Sequence, residues 1–147
     1  MKNDKIKNVF LEGPISPDFI ASSIAKHQSK TSIGAHDIFL GQVRGDDVDG
    51  RTVIGIEYTA YREMADPIFH AIRESAFDRF DLTCLHIYHS LGLVRTGEIC
   101  LFVFVSSSHR KEAFRALEFL VEEIKAKAPV YGKEILDDES HQWKLNT

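Results

Sequence analysis

Apolar residues along this chain recur in two rhythms, one of period two and one of period 3.6, and the switches between them mark its elements. Val9 to Glu12 reads as a short strand. Ser16-Pro17-Asp18 opens a helix through Ile20, Ile24 and His27, with Pro17 suited to its first turn. His36 to Arg44 is a second strand, and Gly45-Asp46-Asp47-Val48-Asp49-Gly50 has the composition of an exposed, mobile loop. From Val53 to Tyr61, Ile54, Ile56, Tyr58 and Ala60 alternate with Gly55, Glu57 and Thr59, which predicts a strand with one buried side. Met64, Ile68, Ala71, Ile72, Ala76 and Phe80 then recur at helical spacing from Arg62 to Phe80. Leu82 to His89 and Glu98 to Ser106 are strands joined through Gly92 and Thr96-Gly97, and the second is apolar on both faces, as a central strand is. Ala113, Leu117, Leu120, Val121, Ile124 and Ala128 mark a helix from about His109 to Ala128, with Ser107 or Ser108 as its cap. A last strand runs from Lys133 or Glu134 to Leu136, and Trp143 is expected to dock the tail.

Strands arriving as adjacent pairs between about three helices predict an α+β fold with an antiparallel sheet, in a single domain over residues 1–147. At 147 residues and 44% hydrophobic content the chain can bury a proper core. A net charge of -4 with both signs interspersed excludes general binding of nucleic acid through phosphates, so any anion site must be local. No stretch approaches the roughly 18 apolar residues that span a bilayer. Met1-Lys2-Asn3-Asp4-Lys5 leads into no apolar signal core, and the expected compartment is the cytoplasm. There, Cys84 and Cys100, each within a strand-like run, are expected to be buried, inert thiols. His86 and His89 flank the strand around Tyr88 with no third ligand at a useful spacing, so no metal site is expected.

Three segments carry candidate chemistry. Pro129 stops the long helix, leaving Lys125 in its last turn and Lys133 beyond it, and a chain reversal there would bring two amines together. Close ammonium groups repel and burial disfavours their charge, which suits a nucleophile or proton carrier; lysines at a helix end also simply suit the macrodipole. Ser106-Ser107-Ser108-His109-Arg110 enters a helix from an apolar strand, the context of a phosphate site or of an ordinary serine cap. Arg44, at a strand end, is placed to present a guanidinium to an anion.

Together with Glu57-Tyr58-Thr59-Ala60-Tyr61, Met64-Ala65, Gly97-Glu98, Ala113-Phe114, Ala128-Pro129 and Trp143, these motifs resemble the large, catalytic subunit of molybdopterin synthase, in order from about Gly41 to Trp143. The resemblance implies that family's α/β-hammerhead fold. It also implies a sulfur transferase of molybdenum cofactor biosynthesis, which adds two sulfurs to cyclic pyranopterin monophosphate to make the dithiolene of molybdopterin. Sulfur would arrive as a thiocarboxylate on the C-terminal glycine of a small ubiquitin-like subunit, in a heterotetramer built around a homodimer of large subunits, with no bound cofactor. Carried over by position, Lys125 and Lys133 are the catalytic lysines, and Gln42, Val43, Arg44, His109, Arg110, Gly132 and Glu134 join them around the substrate. The first of two adjacent basic residues usual in the family falls at Gly132, so either a backbone adjustment at glycine lets Lys133 take over or the second lysine role is absent. A non-catalytic scaffold binding a ubiquitin-like tail or a phosphate ligand is the alternative. Arg110 and Lys125 stand fifteen residues apart, about 22 Å along one helix, which predicts a site shared between two protomers.

Overall fold

A computed structural model describes residues 6–145; the Met1 to Lys5 segment, expected to carry no signal core, lies outside the described residues. The elements are β1 (Phe10–Glu12), α1 (Pro17–His27), β2 (Ala35–Gln42), β3 (Asp47–Val48), β4 (Arg51–Ala60), α2 (Arg62–Arg79), β5 (Cys84–Arg95), β6 (Ile99–Ser107), α3 (Arg110–Lys127), β7 (Val130–Leu136) and β8 (His141–Trp143). The sheet runs β2-β6-β5-β4-β7-β8, with β1 added parallel to β5 and β3 paired to β4. Every other pairing is antiparallel, as the α+β expectation required.

The two-sided apolarity of β6 follows from its place between β2 and β5. Phe102 and Phe104 pack with Ile20 of α1 on one face, while Leu101, Val103 and Val105 join Phe69 and Ile72 of α2 and Leu120 and Ile124 of α3 on the other. Sidedness alternates with period two, and helices cover both sides. At the start of α1, Ser16 Oγ accepts from the Phe19 N–H at 3.1 Å, with Pro17 just inside the helix.

Several boundaries differ from the pattern-based expectation. Gly45 to Gly50 is not wholly a loop: β3 and β4 form a hairpin whose turn residues, Asp49 and Gly50, have φ of 53° and 80°. In β4 a bulge between Val53 and Gly55 resets the alternation, so Val53 is buried and Ile54 is 47% exposed. Gly92 makes no turn between strands. It bends one long β5 at φ +83°, where the strand leaves β6 after His89 and pairs with β4 from Gly92 onward. Strand β7 starts at Val130, directly after Pro129, because β4 offers it a partner down to Ala60. His109, not a serine, is the N-cap of α3; buried Ser107 instead accepts from the His109 N–H through Oγ at 3.3 Å. Trp143 pairs with Lys133 in β8, yet its side chain is 60% exposed and does not dock into the core.

Gly34 fixes where α3 begins. Its N–H donates to the Ser107 carbonyl at 3.0 Å, and a Cβ there would stand 2.2 Å from the Ser108 carbonyl oxygen. Gly34→Ala is therefore expected to cost roughly 1–3 kcal/mol through a forced backbone shift. Urea unfolding monitored by circular dichroism measures it, and an unchanged midpoint would refute the steric account.

Candidate functional site

Lys125 lies in the last turn of α3, whose end shares a cavity with residues of β4, β5 and β7. Around it Tyr58, His89, Ile124, Gly132 and Lys144 enclose a cavity of about 30 Å³, room for one small group. Two wider cavities adjoin it. One, of about 290 Å³, is lined by Arg44, Asp46, Glu134, Gln142, Trp143 and Lys144. The other, of about 360 Å³, is lined by Lys127, Pro129, Tyr131, Gly132, Trp143 and Lys144.

The walls of the narrow cavity are strongly desolvated. His89 is 7% exposed, donates through Nδ1 to the Ser90 carbonyl at 2.8 Å, and meets the Tyr58 ring edge-on at 5.1 Å. Burial holds the His89 imidazole down to about 4, outweighing that carbonyl, and Lys125 lowers it further. Burial likewise pushes the Tyr58 phenol well above its ordinary range. Both side chains are therefore neutral at pH 7, and the cavity's positive charge comes from its lysines.

The structure groups some of the expected site residues and separates others. Arg44 and Glu134 share the 290 Å³ cavity, and Lys125 and Gly132 share the narrow one. Arg44 is exposed and pairs with Asp46 at 3.5 Å, while buried Glu134 accepts from Gln142 at 2.9 Å. Val43 is buried in the core and its N–H donates to the Glu98 carbonyl at 3.0 Å, with Gln42 exposed beside it. His109 and Arg110 are exposed at the opposite end of α3.

Lys133 does not take over the position of Gly132. Tyr58 pairs with Gly132 and Glu57 with Lys133 in unbroken register, so Lys133 stands on the other sheet face, its Nζ 3.3 Å from Glu57. Gly132 supplies close approach instead of backbone freedom: a Cβ there would meet Ile56 Cγ2 at 2.9 Å and Tyr58 Cε1 at 3.3 Å. Tyr58, His89 and Lys144 escaped sequence reasoning, because they come from β4, β5 and the residue just after β8, whose pairing no local motif announces.

A second polar cluster lies elsewhere. His27, at the end of α1, joins Cys84 and His86 of β5, with their ligand atoms within 4.8 Å of one another. The expectation that His86 lacks a third partner thus fails, since spacing along a strand does not reveal which helix packs across it. His27 Nδ1 donates to the Ser23 carbonyl at 2.7 Å, leaving Nε2 to accept from His86 Nε2 at 2.9 Å. Lys30 donates to the Cys84 sulfur at 3.0 Å. Burial, with the positive charges of Lys7, Arg73 and Lys30 nearby, holds His86 down to about 4. Those same charges oppose a bound metal ion, and the cluster acts as a hydrogen-bonded tie between α1 and β5. Cys84 and Cys100 are buried free thiols, in keeping with the inert reading.

Fold and cavity together define a single-sheet α+β protein with an amine-lined cavity where a long helix meets the β4/β7 ladder. The chain belongs to the MoaE protein family, whose model matches residues 12–127. It is 41% identical over 110 residues to a molybdopterin synthase catalytic subunit of Pyrococcus abyssi, covering 75% of this chain and 74% of that one. With the catalytic subunit of Bos taurus it shares 33% identity over 113 residues, 77% of this chain and 59% of that longer one. The crystal structure of molybdopterin synthase from Staphylococcus aureus superposes with a TM-score of 0.77 at 29% identity, covering 92% of this chain and 95% of that one. A complex of subunits 1 and 2 of the molybdopterin-converting factor of Helicobacter pylori shares the fold, with a TM-score of 0.78 at 21% identity over 91% of this chain and 87% of that one. No described helix is long and apolar enough to cross a membrane.

Proposed function

We propose that the chain is the catalytic subunit of a cytoplasmic molybdopterin synthase, adding two sulfurs to cyclic pyranopterin monophosphate. The observation that carries this reading is the narrow cavity at Lys125, which shares lining residues with two wider ones, in a chain of this family. A small ubiquitin-like subunit brings each sulfur as a C-terminal thiocarboxylate and leaves with a carboxylate, so the large subunit needs no reactive thiol of its own. Lys125 moves protons or acts as the amine nucleophile while substrate oxygen leaves and sulfur enters. Arg44, with Gln42 and Val43 as its strand, and His109 with Arg110 hold the substrate's anionic groups. Gly132 and Glu134 shape the cavity walls, while Lys133 lies on the opposite sheet face, paired with Glu57.

Helix α3 is continuous from Arg110 to Lys127, so His109 and Arg110 lie about 22 Å from Lys125 in one chain. The site is composite: the histidine-arginine pair of one protomer faces Lys125 of its partner across a two-fold interface. Arg110→Ala and Lys125→Ala proteins, each inactive alone, regain about a quarter of wild-type conversion when subunits exchange, since half the dimers then hold one intact site of two. No regain, with exchange verified by mass spectrometry, would place each site within one chain.

Gly132 favours a second reading, a scaffold that binds the tail without chemistry. Conversion of the pterin by the purified chain with a thiocarboxylated small subunit decides between them; folded partners that bind but never turn over would leave the scaffold.

A further inference from the structure

Among the described residues, Lys144 alone lines all three of these cavities. Its N–H donates to the Gly132 carbonyl at 2.8 Å, continuing the β7/β8 ladder one step past Lys133 and Trp143. Lys144 is thus the cross-strand neighbour of Gly132, on the sheet face that looks toward Lys125. The Ile56 and Tyr58 side chains pack closely on Gly132, and Lys144, half-buried, lines the narrow and the 360 Å³ cavities beside it. The surrounding charges are neutralised in pairs: Arg44 by Asp46, Lys127 by Glu123 and Lys133 by Glu57, while Gln142 occupies Glu134. Among the described residues no carboxylate pairs with the Lys144 amine. A half-buried ammonium with no carboxylate partner among the described residues, lining a cavity sized for one small group, is suited to take an anion from outside.

We propose that Lys144 binds the terminal carboxylate or thiocarboxylate of the incoming small-subunit tail and positions it against Lys125. The proposal rests on the reading above and adds a residue to it. Size selects the ligand: about 30 Å³ beside Lys125 accommodates a carboxylate-sized group and excludes a pterin, whereas the 360 Å³ cavity over Gly132 and Tyr131 leaves room for an extended tail leading to it. Lys144 is a binding and positioning residue, with the chemistry left to Lys125.

The test compares small subunits ending in a glycine carboxylate or in a glycine amide, titrated calorimetrically into wild type, Lys144→Ala and Lys144→Arg. Lys144→Ala is expected to weaken the carboxylate form by about tenfold and leave the amide form unchanged, with Lys144→Arg recovering most of the loss. In turnover, KM for the thiocarboxylated subunit should rise more than KM for the pterin. Equal weakening of both tails, no weakening of either, or a rise confined to the pterin KM would overturn the proposal and leave the enzyme reading standing. A wild-type chain that neither binds the subunit nor turns over would remove the reading and the proposal together. Thermal unfolding of both variants guards against a folding defect, and a shifted Tm in Lys144→Ala with full rescue by arginine still supports the charge.

Discussion

Lys125→Ala loses at least about a hundredfold in kcat for conversion of the pterin, with the affinity for the small subunit little changed, because a positioned proton carrier contributes on that order. Lys125→Arg does not restore turnover: a guanidinium stays protonated and cannot pass a proton at neutral pH. Lys133→Ala is expected to stay within about fivefold of wild type, since the side chain lies on the other sheet face in a partly exposed pair with Glu57, of a kind worth under about 1 kcal/mol. Single-turnover rates with thiocarboxylated partner measure all three. Equal losses at both lysines would mean that Lys133 reaches the chemistry by a route outside the single chain. Full activity of Lys125→Ala would end its assignment as the catalytic lysine.

Acid weakens the fold through the wall of this same cavity. His89 ordinarily titrates near 6.5 and is held to about 4 by burial. Between those values the unfolded chain binds a proton that the folded chain refuses, so stability is complete above the ordinary value and falls as pH drops toward 4. At 1.36 kcal/mol per pKa unit, His89 alone removes roughly 2–3 kcal/mol by pH 4.5. His86 acts in the same direction with a smaller share, its half-exposed ring being partly screened. Urea unfolding of wild type and His89→Gln at pH 7 and pH 4.5 tests this. The pH-dependent loss should shrink by most of that amount in the variant, and a wild-type profile flat across the window would refute the burial account.

Much of the fold was legible because amphipathic period is a local property. The stripe at Ala113, Leu120 and Ile124 and the two-sided apolar run Leu101 to Val105 each state their environment in a single segment. Errors fell where a neighbouring strand decided the outcome. The bulge between Val53 and Gly55 inverts the alternation because β7 changes register there, and Gly92 lies inside a strand because β4 takes over where β6 leaves off. Trp143 looked like a core residue by type, yet β8 is the sheet edge and leaves the indole exposed.

The same division governs the site. From residues alone came Lys125 at a proline-terminated helix end, Arg44 at a strand end, His109-Arg110 at a helix start, and the order of motifs that marks the family. Their separation also came from sequence, since helix rise is fixed and α3 has no break. Only the tertiary structure decided that Lys133 turns away, that Gly132 is needed for close packing on Ile56 and Tyr58, and that Lys144 stands beside it. The reason is physical. A helix builds its contacts within one segment, whereas a sheet builds them between segments whose register is set by packing elsewhere, and the cavity at Lys125 is walled by strands.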